Sequence, residues 1–178
     1  MRDKMGMSKE KKEVTRTLNT SEETINKQDR LIDLAESIAR KAHEGQTRWN
    51  GEPYIIHLKG MVDKVNNESL VVNTDFIITM WLHDVVEDTD VTLEDLRFKG
   101  IPFRCIEAIE CLSKKKGENY SDYIDRVCKN HLAVCVKIED IENNMNDNLK
   151  EGSLKDKYRL ARKLLLLYKR SVLACEVY

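Results

Sequence analysis

An all-α single domain of about seven to nine helices is the fold this chain predicts. Apolar residues recur at three- and four-residue spacing in segment after segment, the links between them are short, and 178 residues suit one domain. No internal repeat, Gly-rich phosphate loop or low-complexity tract beyond the KKK at 114–116 interrupts the pattern. With 41% hydrophobic residues and only 2 Pro, the chain buries a real core, which excludes collagen, polyampholyte and disulfide mini-protein classes.

Residues 1–28 mix Lys, Glu, Thr and Asn with little apolar content before Ile25. They are expected to form a charged leader, flexible or loosely docked, ahead of a folded domain over 29–178. From Asp29, the residues Leu31, Leu34, Ala35, Ile38, Ala39 and Ala42 form the stripe of an amphipathic helix that ends near Gly45. The link GQTRWNGEP is turn-rich, and Pro53 suits the first position of a helix carrying Tyr54, Leu58, Met61, Val62 and Val65 on one side.

The stretch TDFIITMWLHDVVED is apolar on most sides and reads as one buried central helix, capped by Thr74 or Asp75, with an anomalous acidic end. Thr92 and Asp95 have capping-box spacing and open a short helix through Leu96 and Phe98, stopped at Gly100. Further stripes are Ile106, Ile109 and Leu112, then Tyr123, Ile124, Val127 and Cys128, then Leu160, Ala161, Leu164, Leu165 and Tyr168. In HLAVCVKIEDI the residues Val134, Val136 and Ile138 alternate as in a strand. With no partner strand in the sequence, the segment is assigned to a helix.

The charge balance is 30 Lys+Arg against 31 Asp+Glu, so no global field holds a nucleic-acid backbone, and nucleic acid is not an expected partner. The apolar runs fall far short of the ~20 residues that span a bilayer, and MRDKMGMSKEKKE lacks the apolar core of a signal peptide. A cytoplasmic protein without membrane partners is expected. The five cysteines, Cys105, Cys111, Cys128, Cys135 and Cys175, form no CxxC pair; the first four sit among apolar residues and read as core thiols.

Chemistry concentrates in three blocks. In WLHDVVEDTD, adjacent His83 and Asp84 diverge by about 100° on a helix, with Glu87 four residues after His83 and Asp88 four after Asp84. Packing such groups at the end of an apolar helix is costly without a counter-charge, and a divalent cation removes that cost. The residues alone leave a second reading open, a solvated acidic terminus with a core histidine. In VKIEDIENNMN, Lys137, Asp140 and Asn144 share one helical face. Upstream, His43, Gln46, Arg48, Trp49 and Tyr54 surround a turn before His57; Arg48 suits a base or a phosphate, or is simply a surface residue.

Taken in order, AHEGQTRWNGEPYIIH, WLHDVVEDTDVTLEDL and VKIEDIENNMN resemble the HD-domain phosphohydrolases of the Rel/Spo alarmone-hydrolase class, particularly its small stand-alone members, over about residues 29–170. The resemblance implies a single HD-domain helical bundle. It implies metal ligands at His57, His83, Asp84 and Asp140 for one divalent ion, normally manganese, with other divalent metals able to serve. It implies a catalytic acidic pair at Glu87 and Asp88. Arg48 corresponds to a residue that packs against guanine, Asn144 to one near the sugar, and Lys137 to a basic residue that neutralises an anion or a carboxylate; Glu52, Pro53 and Tyr54 fit the turn that delivers His57.

The activity so implied is metal-dependent hydrolysis of the 3′-pyrophosphate of ppGpp or pppGpp to GDP or GTP and pyrophosphate. The ion would acidify a water and polarise a phosphoryl oxygen, while Glu87 and Asp88 position the water and shuttle its proton. The chain departs from the family at Trp49, which stands where a basic residue is usual, and at Ile141, Asn143, Asn146 and Asp147, which replace the Arg, His, Arg and Thr of ADRLHNMRT. These departures are expected on the nucleotide-facing side. They keep open a hydrolase of another nucleotide (an adenosine alarmone, a nucleoside monophosphate or NADPH) and a non-catalytic module that binds an alarmone or a partner protein.

Overall fold

The computed structural model describes residues 6–68, 73–146 and 152–175, with side chains described from 23 to 171 within those ranges. Among them are nine helices and no strand: α1 (Gly6–Ala42), α2 (Tyr54–Glu68), α3 (Thr74–Leu82), α4 (Val85–Asp88), α5 (Leu93–Phe98), α6 (Phe103–Leu112), α7 (Tyr120–Val127), α8 (His131–Asn146) and α9 (Ser153–Cys175). The all-α expectation holds. Helix α1, Gly6–Ala42 among the described residues, is already formed ahead of Asp29 and runs unbroken through the expected leader boundary. Asp147 and the Cys175 side chain lie outside the described residues.

The bundle is built around α3 and α8. Helix α3 packs against α1, α2, α6 and α8, and buries Ile77, Ile78, Met80, Trp81 and Leu82. Burying one such aliphatic side chain contributes about 1.5–3 kcal/mol. Helix α8 touches α2, α3, α6, α7 and α9, and buries Val134, Val136 and Ile138. A helix enclosed on so many sides is apolar at positions that also alternate, which explains its strand-like pattern.

The cap of α3 is Asn73, not Thr74 or Asp75: its side chain accepts from the Asp75 amide at 2.9 Å while its backbone stays extended. The single helix expected through Asp88 is interrupted. Asp84, at φ −102° and ψ −6°, separates α3 from the one-turn α4. The α5 capping box forms as read, with Thr92 accepting from the Asp95 amide and Asp95 from the Thr92 amide.

On α9 the core takes Ala161 and Leu165, whereas Leu160 and Leu164 are 61% and 48% exposed. Helix α9 meets the body chiefly along α8, so its buried seam is narrower than the apolar stripe. Cys105 is buried, and Cys111, Cys128 and Cys135 are half-buried with free thiols. No helix among the described residues is long and apolar enough to cross a membrane.

Candidate active site

The link between α1 and α2 folds back on itself. Thr47 bridges Pro53, the Arg48 amide donates to Glu52 O at 2.8 Å, and the Gly51 amide donates to Arg48 O at 2.9 Å. Gly51 has φ +84°, a conformation that side chains rarely adopt. This turn starts α2 at Tyr54 and so sets His57, one turn on, facing the bundle centre. Asp84 meets the same centre from the α3–α4 break, and Asp140 from α8.

Ligand atoms of His57, His83 and Asp84 all lie within 4.8 Å of one another. Asp140 joins them, with Oδ1 3.3 Å from His57 Nε2 and 3.9 Å from His83 Nε2. Each ring is oriented from behind. His57 Nδ1 is 2.8 Å from Asn143 Oδ1, and His83 Nδ1 is 2.9 Å from Met80 O. Neither oxygen can donate, so each Nδ1 carries the hydrogen and each Nε2 is turned toward the carboxylates. His83 Nε2 is 2.9 Å from Asp84 Oδ2, yet out of alignment, and is a buried polar atom without a hydrogen-bond partner. Two imidazole nitrogens and two carboxylates around that orphaned atom fit a divalent cation with mixed N/O ligands.

The electrostatics agree. Burial works against a charged His83, but Asp84 and Asp140 outweigh it and lift its pKa to about 10. Burial likewise works to raise Asp84, and the His83 charge beside it holds it down to about 2. Asp140 stays well below the carboxylate range despite its burial, chiefly because of Lys137, whose Nζ is 2.7 Å from Oδ2. Without a metal, a proton on His83 occupies the place of positive charge.

Glu87 and Asp88 line the adjoining cleft, about 430 Å³ in volume. Burial raises both pKa values, with Asp84 adding to the effect. Glu87 is also held by the Lys114 amide, 2.7 Å from Oε2. Arg48 Nη2 donates to Asn144 Oδ1 at 2.6 Å, and Asn144 Nδ2 donates to Asp140 Oδ1 at 2.6 Å. A continuous chain of bonds thus runs from the turn to the metal-type cluster. Lys137 serves a carboxylate, and its Nζ lies 5.3 Å from the Tyr123 ring.

The structure brings all the sequence-selected residues, His57, His83, Asp84, Glu87, Asp88, Asp140, Arg48, Lys137 and Asn144, to this one region. It corrects the reading of the departures. Ile141 is fully buried in the core, and Asn143 stands behind His57, so neither lines the cleft. Trp49 does line the cleft and is 68% exposed. Sequence reasoning missed Tyr54, whose hydroxyl donates to Asp84 Oδ2, and the cleft-lining Lys114, Tyr120, Lys157 and Tyr158. The sequence places Tyr54 at the turn and on the apolar side of α2 but does not pair its hydroxyl with Asp84; Lys114 stands in a lysine run, and Lys157 and Tyr158 belong to no motif.

No family model matches the chain. A Vibrio cholerae protein named guanosine-3′,5′-bis(diphosphate) 3′-pyrophosphohydrolase is 34% identical over 143 residues, 74% of this chain and 20% of that protein. The Escherichia coli K12 protein named bifunctional (p)ppGpp synthase/hydrolase SpoT is 31% identical over 166 residues, 85% of this chain and 23% of that protein. The chain thus spans about a fifth of the length of these curated relatives. A solved structure described as a metazoan ortholog of SpoT that hydrolyzes ppGpp superposes with a TM-score of 0.65 at 21% identity, over 79% of this chain and 85% of that one. The resemblance read from three motif blocks therefore extends along most of the chain, which is similar over that length to one part of these two proteins and shares the fold of the metazoan SpoT ortholog.

Proposed function

We propose that this chain hydrolyses the 3′-pyrophosphate of a guanosine alarmone, ppGpp or pppGpp, to GDP or GTP and pyrophosphate, in the cytoplasm. The observation that carries the reading is the meeting of His57, His83, Asp84 and Asp140 beside a cleft lined by Glu87 and Asp88. The names of the relatives support the choice of substrate. The working unit is the domain over 29–178, with 1–28 a charged leader to it, and its partner is a small nucleotide.

His57, His83, Asp84 and Asp140 would hold one divalent ion, for which Mn²⁺ suits the mixed donors. Bound there, the ion supplies Lewis acidity that draws charge from a phosphoryl oxygen and makes water more acidic. The rest falls to the chain. Glu87, fixed at Oε2 by the Lys114 amide, accepts a hydrogen bond from the attacking water and orients it. Asp88, with its raised pKa, takes the proton and returns it to the leaving oxygen. Arg48, braced by Asn144, offers its guanidinium plane to the base, and Asn144 lies near the sugar. Lys137 keeps Asp140 ionised beside so much negative charge.

A panel of guanosine tetraphosphate, its adenosine counterpart, GMP and NADPH, assayed with Mn²⁺ for pyrophosphate and phosphate release, tests the reading. Pyrophosphate from the guanosine alarmone, at a rate far above the others, is expected. Turnover confined to another member of the panel would replace the substrate, and Trp49 at the cleft would be the first residue to examine. No turnover in the presence of bound metal would favour the binding module.

A further inference from the structure

Arg126, on the last turn of α7, takes no part in the chemistry above. Its Nη1 donates to Glu110 O at 2.6 Å and Cys111 O at 3.0 Å, and its Nη2 to Ser113 O at 2.9 Å. The same guanidinium grips Glu118 bidentately, at 2.6 and 3.0 Å, with both side chains largely buried. The Tyr123 hydroxyl covers Leu112 O at 2.8 Å, and Ser113 covers Ile109 O through both its amide and its hydroxyl. The carbonyls that end α6 are therefore satisfied in unbroken sequence from 109 to 113, largely by α7.

The loop leaving α6 inherits that anchoring. The Lys115 amide donates to Glu118 Oε2 at 2.9 Å, and the Glu118 amide donates to Lys115 O at 3.0 Å, so the Arg126–Glu118 pair closes the loop at its far side. Between these two anchors, the Lys114 amide meets Glu87 Oε2. Glu87 sits on the one-turn α4, which by itself does little to restrain a long side chain. The fixed amide supplies that restraint.

We propose that Arg126 is a positioning residue for the hydrolysis, tying the 113–119 loop down so that the Lys114 amide holds the Glu87 carboxylate at the cleft. The inference rests on the role proposed for Glu87. A lysine keeps the charge but cannot reproduce the fork that reaches three carbonyls and a carboxylate together.

The test uses the full chain with Mn²⁺ and guanosine tetraphosphate, comparing wild type with Arg126→Lys and Glu118→Gln. Hydrogen exchange at the Lys114 amide should quicken by about tenfold or more, while core amides of α3 and α8 keep their protection. In Arg126→Lys, kcat should fall about tenfold with KM within about twofold. In a Glu87→Ala background the same change should cost less than about twofold, since the two residues act through one contact. Unchanged Lys114 exchange, or an equal loss of kcat in both backgrounds, would overturn the proposal. Should Arg126→Lys not fold, Glu118→Gln carries the same readouts. A wild type without pyrophosphate release would sink the functional reading, and the Lys114 exchange would still decide whether Arg126 restrains the loop against Glu87.

Discussion

His57 and His83 are held from behind by different acceptors, a side-chain amide and a backbone carbonyl. Removing the first is the gentler experiment: Asn143→Ala should weaken Mn²⁺ binding about 10–100-fold, read by calorimetric titration, because His57 loses the acceptor that fixes its tautomer. His83 supplies a pH signature. Its pKa, raised from 6.5 to about 10 in the metal-free chain, makes a stabilising contribution that is complete below pH 6.5 and fades as pH climbs through 10. Asp84, lowered from 3.8 to about 2, contributes above 3.8 and loses its effect as pH falls through 2. The melting-temperature advantage of chelated wild type over His83→Gln should therefore be greatest between pH 3.8 and 6.5 and shrink on both sides. An advantage that grows through about pH 8 would contradict the assignment. Metal ligation must displace that proton, so at pH 7 Mn²⁺ uptake should release about one proton per ion, measured in buffers of different ionisation enthalpy.

Helix α3 shows where pattern reading stops. Its apolar run was legible because a helix packed on several sides needs apolar residues on most of its faces. Its end was not legible, since Val85–Asp88 are themselves helical and the break at Asp84 goes with a tertiary contact, the Tyr54 hydroxyl that reaches it from α2. The cap falls on Asn73, just ahead of both expected residues, because Asn73, Thr74 and Asp75 all suit the role. Asn73→Ala should cost about 1 kcal/mol and lower the melting temperature by about 2–4 °C. Helix α8 settles a different point. Ile141 stands where the family resemblance leads one to expect an arginine, yet it lies wholly in the core, so Ile141→Arg should cost several kcal/mol, more than about 3, measurable by denaturant unfolding.

Across the whole molecule, three blocks far apart in sequence meet at one cleft; their residue types singled them out, and the family resemblance gave the residues their roles. What stayed hidden was of two kinds. The Lys114 contribution is a backbone amide, which every residue but proline possesses, and α9 brings Lys157 and Tyr158 to the cleft through packing that no short motif records. The most direct measurement is pyrophosphate release from guanosine tetraphosphate by chelated protein titrated with Mn²⁺, beside Asp84→Ala. Silence when chelated, full rate at about one equivalent of metal, and a loss of at least about a thousandfold in Asp84→Ala are predicted. Undiminished release by the chelated chain, or by Asp84→Ala, would contradict the central claim that this cluster of histidines and carboxylates carries the reaction.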